Sequence, residues 1–200
     1  MKKALSISTL ILVAVVTFSF TKIAIDKWTV KQGSTLVYSV VSGSENYDLT
    51  ATVSSINAEG LKLNLAFANQ AQTNSNVMMS QASLENSHNQ VTRFKNGDQT
   101  LDKGLAIWIS KGMFNELTYG KSYTYLDGNT APTPLVSAGT ETMNILVNGV
   151  NKSVSVIHAK QPSYNGETKL AEYWILNDVE NPIILKMITD ITCQIKSVTL

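Results

Sequence analysis

Hydrophobicity that alternates with a period of two recurs along most of this 200-residue chain and restricts what it can fold into. At 61–67, the apolar residues Leu61, Leu63, Leu65 and Phe67 alternate with smaller or more polar ones. Successive side chains of a β-strand point to opposite faces, so this pattern predicts a strand with one buried face. The same reasoning predicts further strands at 35–41, 48–57, 122–126, 141–147, 150–160, 169–176, 183–188 and 191–198.

Turn signals predict how these strands are connected. Glycine-containing breakers divide the stretch from 35 to 67 into a three-stranded meander. Asn-Gly pairs favour tight hairpins. They predict one hairpin that joins 90–95 to 105–110, and a second that joins 141–147 to 150–160.

Two short helices are predicted, each with a serine near its start. Ser80 is a candidate N-cap for a helix at 79–87, which follows a polar loop at 68–76. Ser110 is a candidate N-cap for a helix at 110–117. The apolar face of this second helix consists of Met113, Phe114 and Leu117.

The chain is predicted to fold as a single, mainly β domain over residues 20–200. The preferred architecture is a single curved antiparallel sheet, a half-barrel or an open barrel, with two short helices. A sandwich of two sheets is the alternative. Charged residues make up only 16% of the chain and the net charge is +1. These values argue against a coiled coil and against a nucleic-acid-binding surface, so no nucleic acid partner is predicted.

Residues 1–19 have the order of a secretory signal peptide. Lys2 and Lys3 precede an apolar run, and Thr17 and Ser19 are small residues at the spacing of a cleavage site. The alternative is a segment that stays uncleaved as an N-terminal anchor. No other window is apolar over the length of a membrane span. The sequence therefore predicts export to the periplasm or the cell exterior, with no spanning segment after cleavage.

Few residues have the spacing that catalysis or metal binding requires. His88 lies in a polar stretch and His158 ends a predicted strand, and neither has a second His or Cys at a metal-ligand spacing. Both are therefore interpreted as isolated imidazoles. Carboxylates beside glycine are typical of turns, and the G-x-S-x-G motif of hydrolases is absent. We predict no catalytic residue, no metal and no cofactor, and a hydrolase is the least favoured function.

Strand phase assigns three further side chains to the core. Cys193, the only cysteine, shares a strand face with Ile191 and Ile195, which predicts a buried thiol. Trp108 and Trp174 are in phase with aliphatic neighbours, and core packing is the preferred interpretation of both.

Four residues are candidates for ligand binding. Tyr123 and Tyr125 share one face of a short strand and form the best candidate for a partly exposed aromatic pair. Met113 and Phe114, on the predicted second helix, are candidates for an adaptable pocket wall.

Three stretches resemble a group of small uncharacterised exported proteins of the Gram-negative envelope. They lie at 31–38, at 105–111 running into Met113 and Phe114, and above all at 173–187. The resemblance implies a curved half-barrel similar to that of periplasmic lipoprotein carriers, and it brings no catalytic residues.

The resemblance and the Leu- and Phe-faced strands together predict a non-enzymatic envelope protein. Its partner would be a lipid or another apolar or amphipathic ligand, held on the concave face of the sheet. The alternative is a protein-interaction module that docks on an envelope protein through edge strands or through the polar loop at 68–76.

Overall fold

Twelve strands of one large curved sheet form the body of the protein. The computed structural model describes residues 28–68, 74–127, 130–163 and 170–200. The signal peptide predicted at 1–19 lies outside the described residues. The elements, in chain order, are β1 Thr35–Ser42, β2 Glu45–Asn57, β3 Gly60–Phe67, β4 Asn74–Ser80, α1 Gln81–Asn86, β5 Asn89–Gln90, β6 Gly97–Leu101, α2 Lys111–Thr118, β7 Lys121–Leu126, β8 Thr133–Val147, β9 Val150–Lys160, β10 Glu172–Leu176, β11 Ile184–Ile188 and β12 Ile191–Thr199.

The sheet is mainly antiparallel and does not close into a barrel. Its strand order is β5-β7-β8-β9-β10-β11-β12-β1-β2-β3-β4-β6. Parallel pairing occurs between β4 and β6, between β5 and β7, and in a short contact of β8 with β12. The predicted mainly β fold with one curved sheet and two short helices is confirmed, and the sandwich alternative is not what the chain forms.

The alternation in the sequence places one row of side chains on the inner face. Leu36 of β1 lies opposite Ala51 of β2, which in turn lies opposite Leu65 of β3. All three side chains are buried. The predicted three-stranded meander and the predicted hairpin of β8 and β9 are therefore confirmed.

The concave side of the sheet is filled by the segment 105–117. Ile107 of this segment lines a small cleft together with the inner-face residues Val40, Leu49 and Cys193. Ser110 caps α2 by accepting a hydrogen bond from the Met113 N–H, as its position in the sequence predicts. The buried apolar side chains of the segment are Leu105, Ala106, Ile107, Trp108, Ile109, Met113, Phe114 and Leu117.

The first predicted hairpin is wrong. Gly97 begins β6, which pairs in parallel with β4 and not with the residues at 105–110. Within 105–110 only isolated bridges form, at Leu105 and Trp108. The physical reason is that this stretch is apolar on both sides, so it is buried inside the sheet and does not form a strand with one exposed face.

Two further predictions need correction. The helix predicted at 79–87 begins two residues later and is shorter, because its first residues belong to β4; Ser80 is nevertheless its N-cap. Trp174 lies on the outer face, since its neighbours Tyr173 and Ile175 are the buried residues of β10. Its assignment to the core interior is therefore wrong, although it packs against the core from outside.

Two buried side chains with polar atoms tie β11 and β12 to β1. The Tyr38 hydroxyl donates a hydrogen bond to the Ile184 carbonyl over 2.9 Å, and both residues are buried. Cys193 of β12 is buried as predicted, opposite Val40 of β1. Burial raises the pKa of the Cys193 thiol to about 12, which leaves it without thiolate reactivity.

Replacing Tyr38 by Phe is expected to lower the free energy of unfolding by about 1–3 kcal/mol, because the buried Ile184 carbonyl loses its hydroxyl donor. Urea unfolding curves measure this loss. Tyr119 is 91% exposed, so Tyr119→Phe is the matched control and should change stability by less than about 0.5 kcal/mol. Equal effects of the two substitutions would contradict the assigned role of the Tyr38 hydroxyl.

Gly60→Ala is expected to destabilise the protein by about 3 kcal/mol. A Cβ at Gly60 would lie 2.0 Å from the Met79 carbonyl oxygen, and the residue has φ +143°. Gly149 has φ +77° but no atom within 4 Å of such a Cβ. Gly149→Ala should therefore lower the free energy of unfolding through backbone strain alone, by about 1–2 kcal/mol. Thermal and urea unfolding of both variants should rank Gly60→Ala as the more damaging substitution.

Candidate functional site

The four candidate ligand-binding residues occupy two different environments. Tyr123 and Tyr125 lie on β7 and turn toward the surface, and Tyr123 is 40% exposed. Met113 and Phe114 lie on α2 and are buried in the core. The structure thus brings the two tyrosines together at a surface, and it keeps the other two side chains away from it.

An aromatic group surrounds the two tyrosines. Their rings meet edge to face, with centroids 5.7 Å apart and an interplanar angle of 86°. The His88 imidazole stacks on the Tyr123 ring at 4.3 Å and 11°. His88 is held in place through its backbone carbonyl, which accepts hydrogen bonds from the Tyr125 N–H and the Thr124 hydroxyl.

Glu116 of α2 fixes the other side of the imidazole. Its carboxylate lies 3.0 Å from His88 Nε2 and accepts a 2.6 Å hydrogen bond from the Ser122 hydroxyl. Burial raises the pKa of Glu116, but the hydrogen bonds from Ser122 and His88 outweigh it, and the net pKa lies below the ordinary value. The expectation of an isolated His88 is therefore wrong.

The order of these contacts limits the chemistry of the site. In a serine triad the hydroxyl contacts the imidazole, which removes its proton. Here Ser122 donates to the carboxylate of Glu116, and both Ser122 and His88 approach the same oxygen. The three side chains therefore hold one another in position and do not form a nucleophile–base pair.

These side chains form one wall of an open cleft, which we call the tyrosine cleft. The rest of its lining comes from α1 and from the loop after β6, although β6 stands at the opposite end of the strand order from β7. The volume of the cleft is about 470 Å³. Asp102 and Lys103, which follow β6, and Asn86, at the end of α1, are exposed, and their side chains have no partner among the described residues. The cleft is lined by Ala82, Ser83, Asn86, Ser87, His88, Asn89, Asp102, Lys103, Tyr123 and Tyr125.

The second histidine belongs to a cluster on the outer face of the sheet. His158 contacts Glu141 at 2.7 Å and Glu172 at 3.1 Å, one through each ring nitrogen. It also stacks on Trp174 at 4.3 Å, and Lys186 lies 4.4 Å from the centre of the same ring. The prediction of an isolated His158 is wrong as well.

The polar groups of this outer cluster satisfy one another. The Trp174 indole donates to Glu141 over 3.1 Å. This hydrogen bond and the one from His158 lower the pKa of Glu141. Because the side chains already partner one another, the cluster is best explained as a structural link between β8, β9, β10 and β11.

Two apolar clefts lie along the core. The cleft on the concave side, between Phe67, Phe94 and Met187, has a volume of about 30 Å³, far below the roughly 300–1,000 Å³ of small-molecule sites. A second, at the end of α1, has about 180 Å³ and is bordered by Lys111, which lies 3.6 Å from Glu85 and 3.1 Å from Glu180. The inner face of the sheet is therefore packed.

Within the described ranges, no group of His, Cys, Asp or Glu side chains is arranged to hold a metal ion. No helix of the described part of the chain is long and apolar enough to cross a membrane.

The free energy of unfolding is expected to decrease as the pH falls below the ordinary Glu value of 4.5, because Glu116 has a lower pKa in the folded than in the unfolded chain. Its contribution is complete above the unfolded value and is lost as the pH falls through the folded value. The carboxylate is 44% exposed, so the contribution is a few tenths of a kcal/mol.

Urea unfolding between about pH 3 and about pH 7 measures this effect. Glu116→Gln should reduce the slope of stability against pH. Glu59→Gln changes an exposed carboxylate between β2 and β3 and serves as the matched control. An unchanged slope in Glu116→Gln would count against the assigned hydrogen bonds.

Comparison of the chain with protein-family models, with curated proteins and with solved structures finds no match. The resemblance to exported envelope proteins therefore stays a prediction, and the case for a function rests on the geometry of the tyrosine cleft.

Proposed function

We propose that this protein is an exported, non-enzymatic binding protein of the bacterial cell envelope, and that it holds an amphipathic ligand in the tyrosine cleft. The observation that carries the proposal is the perpendicular pair of Tyr123 and Tyr125 on the wall of an open cleft. Tyrosine rings combine an apolar body with a polar tip, which suits a ligand that has both kinds of surface.

The size and support of the cleft favour this use. Its volume of about 470 Å³ lies within the range of small-molecule sites, about 300–1,000 Å³. Both tyrosines lie on β7, which is paired with β5 on one side and β8 on the other. The His88 ring also stacks on Tyr123. Aromatic walls held in this way lose little conformational entropy when a ligand binds.

The concave face of the sheet is a less suitable binding site for the ligand than the tyrosine cleft. The cleft on this side has only about 30 Å³, whereas an acyl chain would need a volume typical of ligand pockets. The segment 105–117 occupies the space that a carrier would leave open. We therefore place the amphipathic ligand at the edge of the sheet, outside its concavity.

The proposal that the protein is not an enzyme is supported by the position of Ser122, whose hydroxyl donates to the Glu116 carboxylate and not to an imidazole. Export is supported by the N-terminal pattern of Lys2, Lys3 and an apolar run.

A protein-interaction module is the second candidate, and the edge strand β6 favours it. β6 is the last strand in the sheet order, and among the strands that the structure describes it pairs only with β4. Gly97, Asp98 and Thr100 are exposed on it. An extended segment of an envelope protein has room to add to such an edge through backbone hydrogen bonds.

The double substitution Tyr123→Ala, Tyr125→Ala is expected to reduce strongly the retention of an envelope-derived ligand. Each aromatic contact contributes about 0.5–1.5 kcal/mol, so the loss of both should weaken binding about tenfold or more. The purified full-length protein is incubated with an extract of bacterial envelopes, washed, and analysed by mass spectrometry of the bound small molecules.

Tyr119→Ala removes a tyrosine that is 91% exposed and does not line the cleft, so it should retain the ligand. Equal retention by the unsubstituted protein, the double variant and Tyr119→Ala would overturn the proposed site. Cross-linking in intact cells would instead support the interaction module if it recovers one envelope protein and if Thr100→Pro, which disrupts the edge strand β6, prevents that recovery.

A further inference from the structure

We infer that the tyrosine cleft binds a neutral saccharide; this inference rests on the proposed function and names the chemical class of the ligand. Three properties of the cleft carry it: its balanced charge, its polar groups without partners, and the arrangement of its aromatic rings.

The charges around the cleft balance. Asp102 and Lys103 are adjacent in the chain and both line the cleft. His88, the other basic side chain of the wall, lies 3.0 Å from the Glu116 carboxylate. A site usually selects a charged ligand through an excess of the opposite charge. The tyrosine cleft offers no such excess to an anionic or to a cationic head group.

The polar groups without partners are both donors and acceptors. The Asp102 carboxylate accepts hydrogen bonds, the Lys103 ammonium donates them, and the Asn86 amide does both. Sugar hydroxyls also donate and accept, so a saccharide offers hydrogen-bond partners of the kind that each of these side chains needs. An alkyl chain in the same place would remove these groups from water without replacing their hydrogen bonds, which is unfavourable.

The aromatic rings provide the apolar part of the site. The His88 imidazole stacks on Tyr123, yet the Tyr123 side chain remains 40% exposed. The C–H groups of a sugar ring form an apolar surface that packs against such an exposed aromatic surface. Because Tyr125 is perpendicular to Tyr123, the ligand meets a corner formed by two walls and not a single flat surface.

His88 and Glu116 are positioning residues in this arrangement. Glu116 orients the imidazole through Nε2, and the imidazole in turn orients the Tyr123 ring. The cleft is open and accessible to water, so the affinity for a single short saccharide should be modest, with a dissociation constant of about 0.1–1 mM.

Saturation-transfer NMR and calorimetric titration of the full-length protein test the inference. The probes are neutral trisaccharides built from glucose, galactose or N-acetylglucosamine. At least one of them should bind, and raising the salt concentration to about 0.5 M should change its affinity less than twofold, because a neutral ligand is not screened.

The variants locate the binding. Tyr123→Ala and Asp102→Asn should each weaken saccharide binding by about fivefold to tenfold, while Tyr119→Ala should leave it unchanged. Circular dichroism confirms that each variant is folded. Loss of binding in Tyr119→Ala to the same extent as in Tyr123→Ala would overturn the assignment to this cleft.

Two further probes separate the inference from the proposed function. The first is vesicles of phosphatidylglycerol and phosphatidylethanolamine, and the second is the envelope extract described above. If no saccharide binds but vesicles or extracted material bind in a manner that depends on Tyr123 and Tyr125, the saccharide inference is overturned and the proposed function stands. If no probe binds in that manner, both are overturned.

Discussion

The inner face of a curved sheet has to be shielded from water, and the remainder of this structure depends on how the segment 105–117 does so. Each large apolar side chain that is buried contributes about 1.5–3 kcal/mol, but buried backbone groups need partners as well. The segment obtains them without forming a regular strand. The Leu105 N–H donates to the Asn89 carbonyl, and the Ile109 N–H donates to the Pro182 carbonyl. The Ile107 carbonyl accepts a hydrogen bond from the Ile184 N–H.

Filling the concavity also decides where a ligand has room. The chain that leads into the filled interior forms α1, β5 and the loop after β6, and the chain that follows it forms β7. The tyrosine cleft lies where they meet. The segment that fills the core also supports the surface site, because its Glu116 contacts His88 and its Leu105 N–H donates to the carbonyl of the adjacent Asn89.

The sequence predicts the parts of the fold that local chemistry decides. Alternation at 61–67, the Asn148-Gly149 turn and the capping serines Ser80 and Ser110 each depend on neighbouring residues only. β4 escapes prediction because its inner face includes the polar Ser75, whose hydroxyl donates to the Lys95 carbonyl. Of the site, the shared face of Tyr123 and Tyr125 follows from strand periodicity. The contact of His88 with Glu116 joins residues 28 positions apart, and no sequence spacing indicates it.

Because Cys193 is buried, the reactivity of its thiol depends on whether the chain is folded. Its thiol is unreactive because β1, β11 and β12 enclose it. In an oxidising compartment an unfolded chain would expose the same thiol and join a second chain through a disulfide. If the protein is exported as proposed, dimerisation through Cys193 would report that β1, β11 and β12 had opened, because the folded chain encloses this thiol.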